Sequence, residues 1–573
     1  SKKPDPDFQF QLRKFSDALV SYVRPSLLLL QGAVILVLLI ACANLANLLL
    51  MRMTVRKREF AIRGAIGAGR GRILRQLIVE SLLLCSIGCV VGVTFGLIGA
   101  RALLIASPNA LPYIGKPGLA FGLDWRVLVF AAGLSLLTVL IFGLLPTFDV
   151  CREGFENVLR GAGARQGTGA RSKRAQSAVV VSEVALSLVL LIGAALLIRT
   201  FISLSRVEPG FDSHHVVLMT MPLHGGHTDT AAGVTSMVRD AQQALAAVPG
   251  VESSAATFSA PYASRMGLPF TSVSSNSAVS GDGEWMAVSP GYFGVLKITL
   301  LRGRDFNSND SAGAPAVALI NETMAKRFWA GRDPVGQQIL IGKDLGPKFK
   351  DTPRQIIGIV SDTRDDDLSE APEPTMIIPD AQEPDQMVEL ETQFGPMWWL
   401  IRTHLEPQQL ISAVSEPLRR ASGGRPVGSV RTMDDVLSDS IAQQRFNMLL
   451  LSVFALIALL LAALGIYSVM AYSVTQRTHE IGVRMALGAD QNDVRNMVLR
   501  EGLARGLAGM VCGMCAAFFL VRLLADMLYG VSMRDPAVFF AVPTFMVLLT
   551  ATAAWIPARR AARLDPVQAL RIE

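Results

Sequence analysis

EFAIRGAIGAGRGRILRQLIVE, from Glu59, and EIGVRMALGADQNDVRNMVLRE, from Glu480, are two copies of one cassette. Glu59, Arg63, Gly67, Ala68 and Glu80 fall on Glu480, Arg484, Gly488, Ala489 and Glu501 at a constant offset of 421 residues. Each copy follows a long charge-free stretch and precedes a second apolar one. At the nearby offset of 411, Pro146 repeats as Pro557 and Leu159-Arg160 as Leu570-Arg571. The period is therefore a whole membrane domain rather than a solenoid unit.

Seven segments can cross about 30 Å of hydrocarbon, which takes roughly 20 residues of helix. Ser26 to Met51, Ser81 to Ala100, Val127 to Phe148, Phe446 to Gln476 and Pro536 to Ala558 contain no Asp, Glu, Lys or Arg. Gln176 to Ile198 carries Glu183. The stretch from about Leu503 to Leu524 carries Arg505 and Arg522 towards its ends, where arginines can snorkel to the headgroups. A soluble core could not hide so many apolar stretches.

Orientation follows from the excess of Lys and Arg in short cytoplasmic loops. Arg52, Arg56, Lys57, Arg58, Arg63, Arg70, Arg72 and Arg75 follow the first span against the single acid Glu59. Arg152 to Arg174 and the tail from Arg559 are basic too, so all three belong inside. Residues 200–445 then lie outside the cytoplasm, with 29 acids against 20 Lys and Arg. The chain's net charge of +7 thus sits in membrane-proximal loops. No basic folded module remains that would bind nucleic acid.

The external segment reads as mixed α and β. VVLMTMPL from Val216 and QIIGIVSD from Gln355 have the apolar density of strands, and MVRDAQQALAAVPG from Met237 reads as an amphipathic helix ending at Pro249-Gly250. Asp365, Asp366 and Asp367 lack EF-hand spacing and read as solvated surface loop. His214, His215, His224 and His227 lack the HExxH or paired-cysteine spacing of a metal site and read as polar residues around a strand. No cysteine lies in this segment, and Cys512 and Cys515 read as small buried residues of an apolar helix. There is no GxxxxGK[ST] phosphate loop and no GxSxG elbow, so the chain is read as non-enzymatic, with no cofactor of its own.

A family resemblance rests on LLIACANLANLLLMR from Leu38, the two cassettes, RSKRAQSAVVVSEVALSLVLLIGAALLIRTF from Arg171 and VEPGFD from Val207. YFGVLKITLLRGRDF from Tyr292, VALINETMAKRFWAGRDPVGQQI from Val317 and IPARRAARLDPVQALR from Ile556 complete it. The chain resembles permeases of the MacB and FtsX class of ABC systems, and in particular the tandem-duplicated acidobacterial ones. The resemblance implies a multi-span α-helical membrane protein with a large mixed α/β extracytoplasmic domain and a duplicated FtsX-like helical bundle. Its module runs helix, external domain, three helices.

On that module, residues 1–25 are the end of a preceding external domain and 26–160 a partial first bundle of three helices. Residues 161–175 are a cytoplasmic linker and 176–199 the first helix of the complete module. Residues 200–445 are a MacB-like periplasmic domain, and 446–573 the C-terminal bundle and tail. The expectation is a fragment missing a first helix and first external domain, the full-length chain forming a pseudo-dimer. Within the external domain, the resemblance implies one subdomain from about residues 207–265 and 385–435, and a second from about 270–380.

The resemblance also assigns the cassettes a task. Glu59 with Arg63, and Glu480 with Arg484, are four residues apart and share a face of a short amphipathic helix. Together with Gly67 and Gly488, which permit a tight turn, they are candidates for coupling to a separate ABC ATPase. The alternative for the same four charges is a solvated juxtamembrane helix held by headgroups. Glu183, about 10 Å inside its span at roughly 1.5 Å per residue, is the candidate intramembrane polar residue at a helix-helix interface. Implied partners are the ATPase, membrane lipid, and an exported substrate or an envelope protein. The alternative is an envelope scaffold or signalling protein without transport.

Overall fold

The computed structural model describes residues 24–65, 70–106, 124–139, 168–223, 228, 230–263, 265–273, 279–342 and 351–563. Its contacts divide it into a helical unit, 1–203 with 443–573, and a second unit, Leu204–Ala442.

Four helices precede the second unit: α1 (Arg24–Ala65), α2 (Arg70–Ala106), α3 (Trp125–Val139) and α4 (Thr168–Leu204). Their apolar spans run Arg24–Leu48, Ile78–Leu103 and Gln176–Leu204, each long enough to cross a bilayer. Trp125–Thr138 is a shorter apolar helix, and the expected remainder of that span, residues 140–148, lies outside the described residues. At 42 residues, α1 is about 63 Å long, twice the hydrocarbon thickness. It therefore carries the start of the first cassette, Glu59–Ala65, as an unbroken extension of the span, where a separate short helix was expected.

The second unit is built on an 11-stranded sheet. Its elements are β1 (Val216–Met221), α5 (Ala231–Ala246), β2 (Val251–Thr257), β3 (Met266–Ser272), β4 (Ser280–Val288), α6 (Tyr292–Leu296), β5 (Leu300–Gly303) and β6 (Val317–Asn321). They continue as α7 (Glu322–Phe328), β7 (Gln338–Ile341), β8 (Arg354–Val360), β9 (Thr375–Pro379), α8 (Asp385–Phe394), β10 (Met397–Thr403), α9 (Pro407–Ala421), β11 (Val430–Thr432) and α10 (Met433–Ser440). The strand order is β11-β1-β10-β2-β4-β3-β7-β8-β6-β9, with β5 on β8. Strands from both ends of the insertion make the first four places, and strands 266–379 make the rest. Within the sheet the two parts are paired through one residue pair, Thr257 with Val288.

Local chemistry sets these elements. The Thr230 hydroxyl accepts from the Gly233 N–H to start α5, and Asn321 caps α7 through the Met324 N–H at 2.9 Å. Thr432 and Asp435 form a capping box on α10. α5 and α9 bury Val234, Val238, Ala241, Leu410, Val414 and Leu418 against one sheet face, over Trp399 and Ile401.

Four further helices close the chain: α11 (Ala442–Gln476), α12 (Thr478–Ala486), α13 (Gln491–Leu520) and α14 (Pro536–Ala562). Element limits follow the sequence repeat. α2 begins at Arg70 and α13 at Gln491, 421 residues on; α3 begins at Trp125 and α14 at Pro536, 411 on.

Candidate coupling helices and an intramembrane polar seam

In the second cassette, α11 ends at Gln476 and α12 begins two residues later. Glu480 and Arg484 pair along α12 at 2.6 Å, each half exposed. Arg484 also donates to Met497 Sδ at 3.0 Å. Ile481 is buried beneath them, whereas Leu487 is 83% exposed. Gly488, at φ +98°, ends the helix in the left-handed conformation that costs a residue with Cβ energy. The chain then restarts at once, with the Asp490 carboxylate accepting from the Gln491 N–H. The result is a short amphipathic helix with a charged pair and a bare leucine on its surface. In the first copy, Glu59 and Arg63 lie on the backbone of α1 with side chains outside the described residues, and Gly67 lies outside them altogether.

Glu501, singled out in sequence only as a repeated residue, anchors this helix to the bundle. It accepts from Arg477, at the joint between α11 and α12, at 3.1 Å and from Arg505 at 2.8 Å. Arg505 continues to the Ser177 hydroxyl on α4 at 3.1 Å. Arg505 therefore turns inward to an ion pair rather than outward to headgroups. Glu501 and Arg505 together thus link the α11–α12 joint, α13 and α4.

Glu183 is fully buried on α4. One carboxylate oxygen accepts from Asn44 Nδ2 on α1, which also donates to the Leu461 carbonyl on α11 at 3.0 Å. The other oxygen has no hydrogen-bond partner among the described residues and lies where a Cβ of Gly465 would be. Asn47 donates to Ser468 at 3.3 Å and Asn447 to Ser26 at 3.0 Å. Ser187 on α4 donates to the Ala458 carbonyl at 3.1 Å. These polar contacts run along a seam of α1, α4 and α11 whose remaining surface is apolar, Ala33, Ile40, Leu190, Ala194, Leu451 and Ala458. Sequence reasoning placed Glu183 but not Asn44 or Gly465, because the two are ordinary residues until the repeat brings them together.

In the external unit, Asp365 departs from the expected solvated loop. It is buried and pairs at 2.8 Å with Arg265, which also reaches Glu284 at 3.0 Å. Asp366 remains exposed. Burial raises the Glu391 carboxyl to about 8, a shift tempered by a hydrogen bond with Glu383; burial and then the Glu391 charge push Glu383 well up. Asp380 is raised to about 7, mainly by burial. His214 and His215 are exposed beside β1, and His224 and His227 lie outside the described residues. Among the described residues no group of three or more His, Cys, Asp or Glu is placed to hold a metal ion.

Comparison with known proteins accounts for both units. Residues 32–154 and 452–566 each match the FtsX-like permease C-terminal family, and residues 177–421 match the MacB-like periplasmic core domain. The probable syringafactin export ATP-binding/permease protein SyfD of Pseudomonas syringae pv. tomato is 29% identical over 51% of this chain and 42% of its own length. The pyoverdine export ATP-binding/permease protein PvdT of Pseudomonas entomophila is 27% identical over 52% of this chain and 43% of its own. The chain thus spans less than half the length of these relatives. Among solved structures, the periplasmic region of MacB from Actinobacillus actinomycetemcomitans covers 41% of this chain and 95% of that one, at 14% identity and a TM-score of 0.27. This chain carries permease domains of the MacB/FtsX family of ABC transporters, with the FtsX-like region present twice, and is a multi-pass inner-membrane protein with an extracytoplasmic domain.

Proposed function

We propose that this chain, built from MacB/FtsX-family permease domains, is the non-catalytic permease component of an ABC-type system and couples a separate ATPase to movement of its external domain, for export or mechanotransmission. The observation that carries this reading is the duplicated FtsX-like bundle with a surface helix, α12, that presents the Glu480–Arg484 pair and Leu487. In support, α12 is tied through Arg477, Glu501 and Arg505 to α13 and to α4, the helix that leads into the external domain. A push on α12 therefore reaches α4 through two ion pairs and the Arg505–Ser177 hydrogen bond rather than through a flexible joint. The two cassettes would serve two ATPase subunits, so that one tandem-duplicated polypeptide takes the place of a homodimer. The names of the matched relatives, export ATP-binding/permease proteins, agree with a nucleotide-driven partner.

The test is purification with the cognate ATPase from the native host. Charge exchange in both cassettes, Glu59→Arg with Arg63→Glu and Glu480→Arg with Arg484→Glu, keeps a pair within each helix but inverts what a partner meets. ATPase retention and stimulated ATP turnover are expected to fall together while membrane insertion persists. Undiminished retention would return the cassettes to solvated juxtamembrane helices, and native activity without any ATPase would favour an envelope scaffold.

A further inference from the structure

Along the strands of the external sheet, alternate residues feed different cores. Met219 and Trp399 of the first part form one core with the helices above them, and Trp285, Ile320 and Met376 of the second part form another. Their neighbours in sequence, Leu218, Leu400, Met286, Leu319 and Ile377, point to the opposite face and share a single core. The two parts are therefore fused behind the sheet and have separate cores in front of it.

In front, one segment bridges the two cores. The chain leaves the second part at Pro379 and re-enters the first at Met397, carrying α8 between them. On α8, Met387 is buried in the front core of the second part and the next residue, Val388, in that of the first. The Gln382 carbonyl accepts from Arg354 of β8 at 2.8 Å, and the Asp385 carboxylate accepts from the Ala231 N–H at the start of α5 at 2.8 Å. The segment thus grips both sides.

Three of its carboxyls, Asp380, Glu383 and Glu391, are buried. Glu383 and Glu391 hydrogen-bond each other, and no other donor among the described residues reaches Glu383 Oε1 or Glu391 Oε2. An ionised carboxylate only accepts, so this bond exists only while one of the two holds a proton. The charged groups facing Glu383 are Glu391, Asp380 and Arg354, and Arg354 is already engaged by Asp351 at 2.7 Å. Arg239 on α5 faces Asp380. Loss of the shared proton would therefore set two buried like charges side by side, with one cation shared among several acids.

We infer that the 380–395 segment is a proton-operated clasp across the front of the external sheet. With the Glu383–Glu391 proton in place it holds the two parts together; without it, α8 withdraws and the sheet bends open about the shared rear core. Burial raises both carboxyls, Glu391 to about 8, so the closed form is favoured at low pH and lost as pH rises through that value. The clasp acts whichever partner drives the membrane bundle.

The experiment uses the native full-length protein with its own cysteines changed to serine. Spin labels are placed at Lys326→Cys on α7 and Arg420→Cys on α9, exposed positions on front-face helices of opposite parts. At about pH 5, pulsed electron paramagnetic resonance should give a single distance. At about pH 9 a longer one should dominate, with its midpoint near 8, and a return to the lower pH should restore the first. Glu383→Gln with Glu391→Gln, whose amides bond without a shared proton, should hold the short distance at both pH values. One unchanged distance across the range in the labelled protein overturns the clasp. So does a pH response that survives in the double glutamine variant, or one that fails to reverse.

Discussion

Asn44 and Gly465, equivalent residues of the internal repeat, meet the same carboxyl group: Asn44 donates to Glu183, and Gly465 leaves the space that its second oxygen fills. A single acid on α4 thus touches both members of a repeated pair, one through a hydrogen bond and one through an absent side chain. Two-fold symmetry is broken at that point. Had both positions been asparagine, one side chain would have collided with the carboxylate; had both been glycine, the acid would have no donor.

Gly465→Ala should therefore be worse than an ordinary glycine-to-alanine change in a helix, which usually stabilises. Overpacking against Glu183 is expected to cost about 1–3 kcal/mol. Adding Glu183→Ala should recover part of that loss, because it empties the space into which the new methyl projects. Thermal aggregation of the purified protein in detergent reads both effects. Equal losses in single and double variants would mean that the carboxyl does not occupy this position.

For the hydrogen bond itself, Asn44→Leu should cost about 1–2 kcal/mol, the upper range for polar contacts between membrane helices. Glu183→Gln keeps the shape and can still accept from Asn44, so it should lie near the wild type, while Glu183→Leu should resemble Asn44→Leu. Non-additivity of Asn44→Leu with Glu183→Leu in a double-mutant cycle is the expected signature. Additive losses would place the two side chains in separate environments.

The spans, the repeat and the orientation were legible because hydropathy, a fixed offset and loop charge are local properties of the chain. The cassette pair Glu480–Arg484 was legible for the same reason, since four residues along a helix define a contact. Arg265 and Asp365 were not. They are separated by 100 positions and are brought together only when β3 and β4 pair and the 361–370 segment folds over them. Three consecutive aspartates look solvated in sequence, and only one of them is buried. The continuity of α1 into its cassette as far as Ala65, against the break at Arg477, was likewise invisible, because that break accompanies the ion pair of Arg477 with Glu501 on another helix.

The external unit should respond to pH through Glu383 and Glu391. Both carboxyls are raised in the folded state, Glu391 to about 8 from an ordinary value of 4.5, chiefly by burial. A folded pKa above the unfolded one means that the folded state holds the proton more tightly. Stability from this pair is then fully present below about pH 4.5 and is lost as pH rises towards 8. Hydrogen exchange of α8 in the full-length protein should quicken across that window, and Glu391→Gln should flatten the dependence. A profile that instead gains protection with rising pH would show that the acids are ionised in the fold.

Arg265 offers the sharpest test of the external domain's interior. Its side chain is 3% exposed and holds Asp365, itself 6% exposed, together with the less buried Glu284. Taking such charges out of water is costly, and the pairing offsets that cost only while every partner remains. Arg265→Met keeps much of the apolar volume but leaves two carboxylates facing no cation, one of them fully enclosed. The expected loss is about 3–5 kcal/mol, the range for removing one partner of a buried pair. Asp365→Asn with Glu284→Gln on the Arg265→Met background removes the uncompensated charges and should recover a substantial part, though not the hydrogen bonds. Limited proteolysis of the full-length protein, probing the 361–370 segment and the β3–β4 hairpin, distinguishes the outcomes. If Arg265→Met alone left protection unchanged, the buried ion network would contribute nothing to this domain's stability, and Asp365 would be the solvated loop residue that its neighbours in sequence suggest.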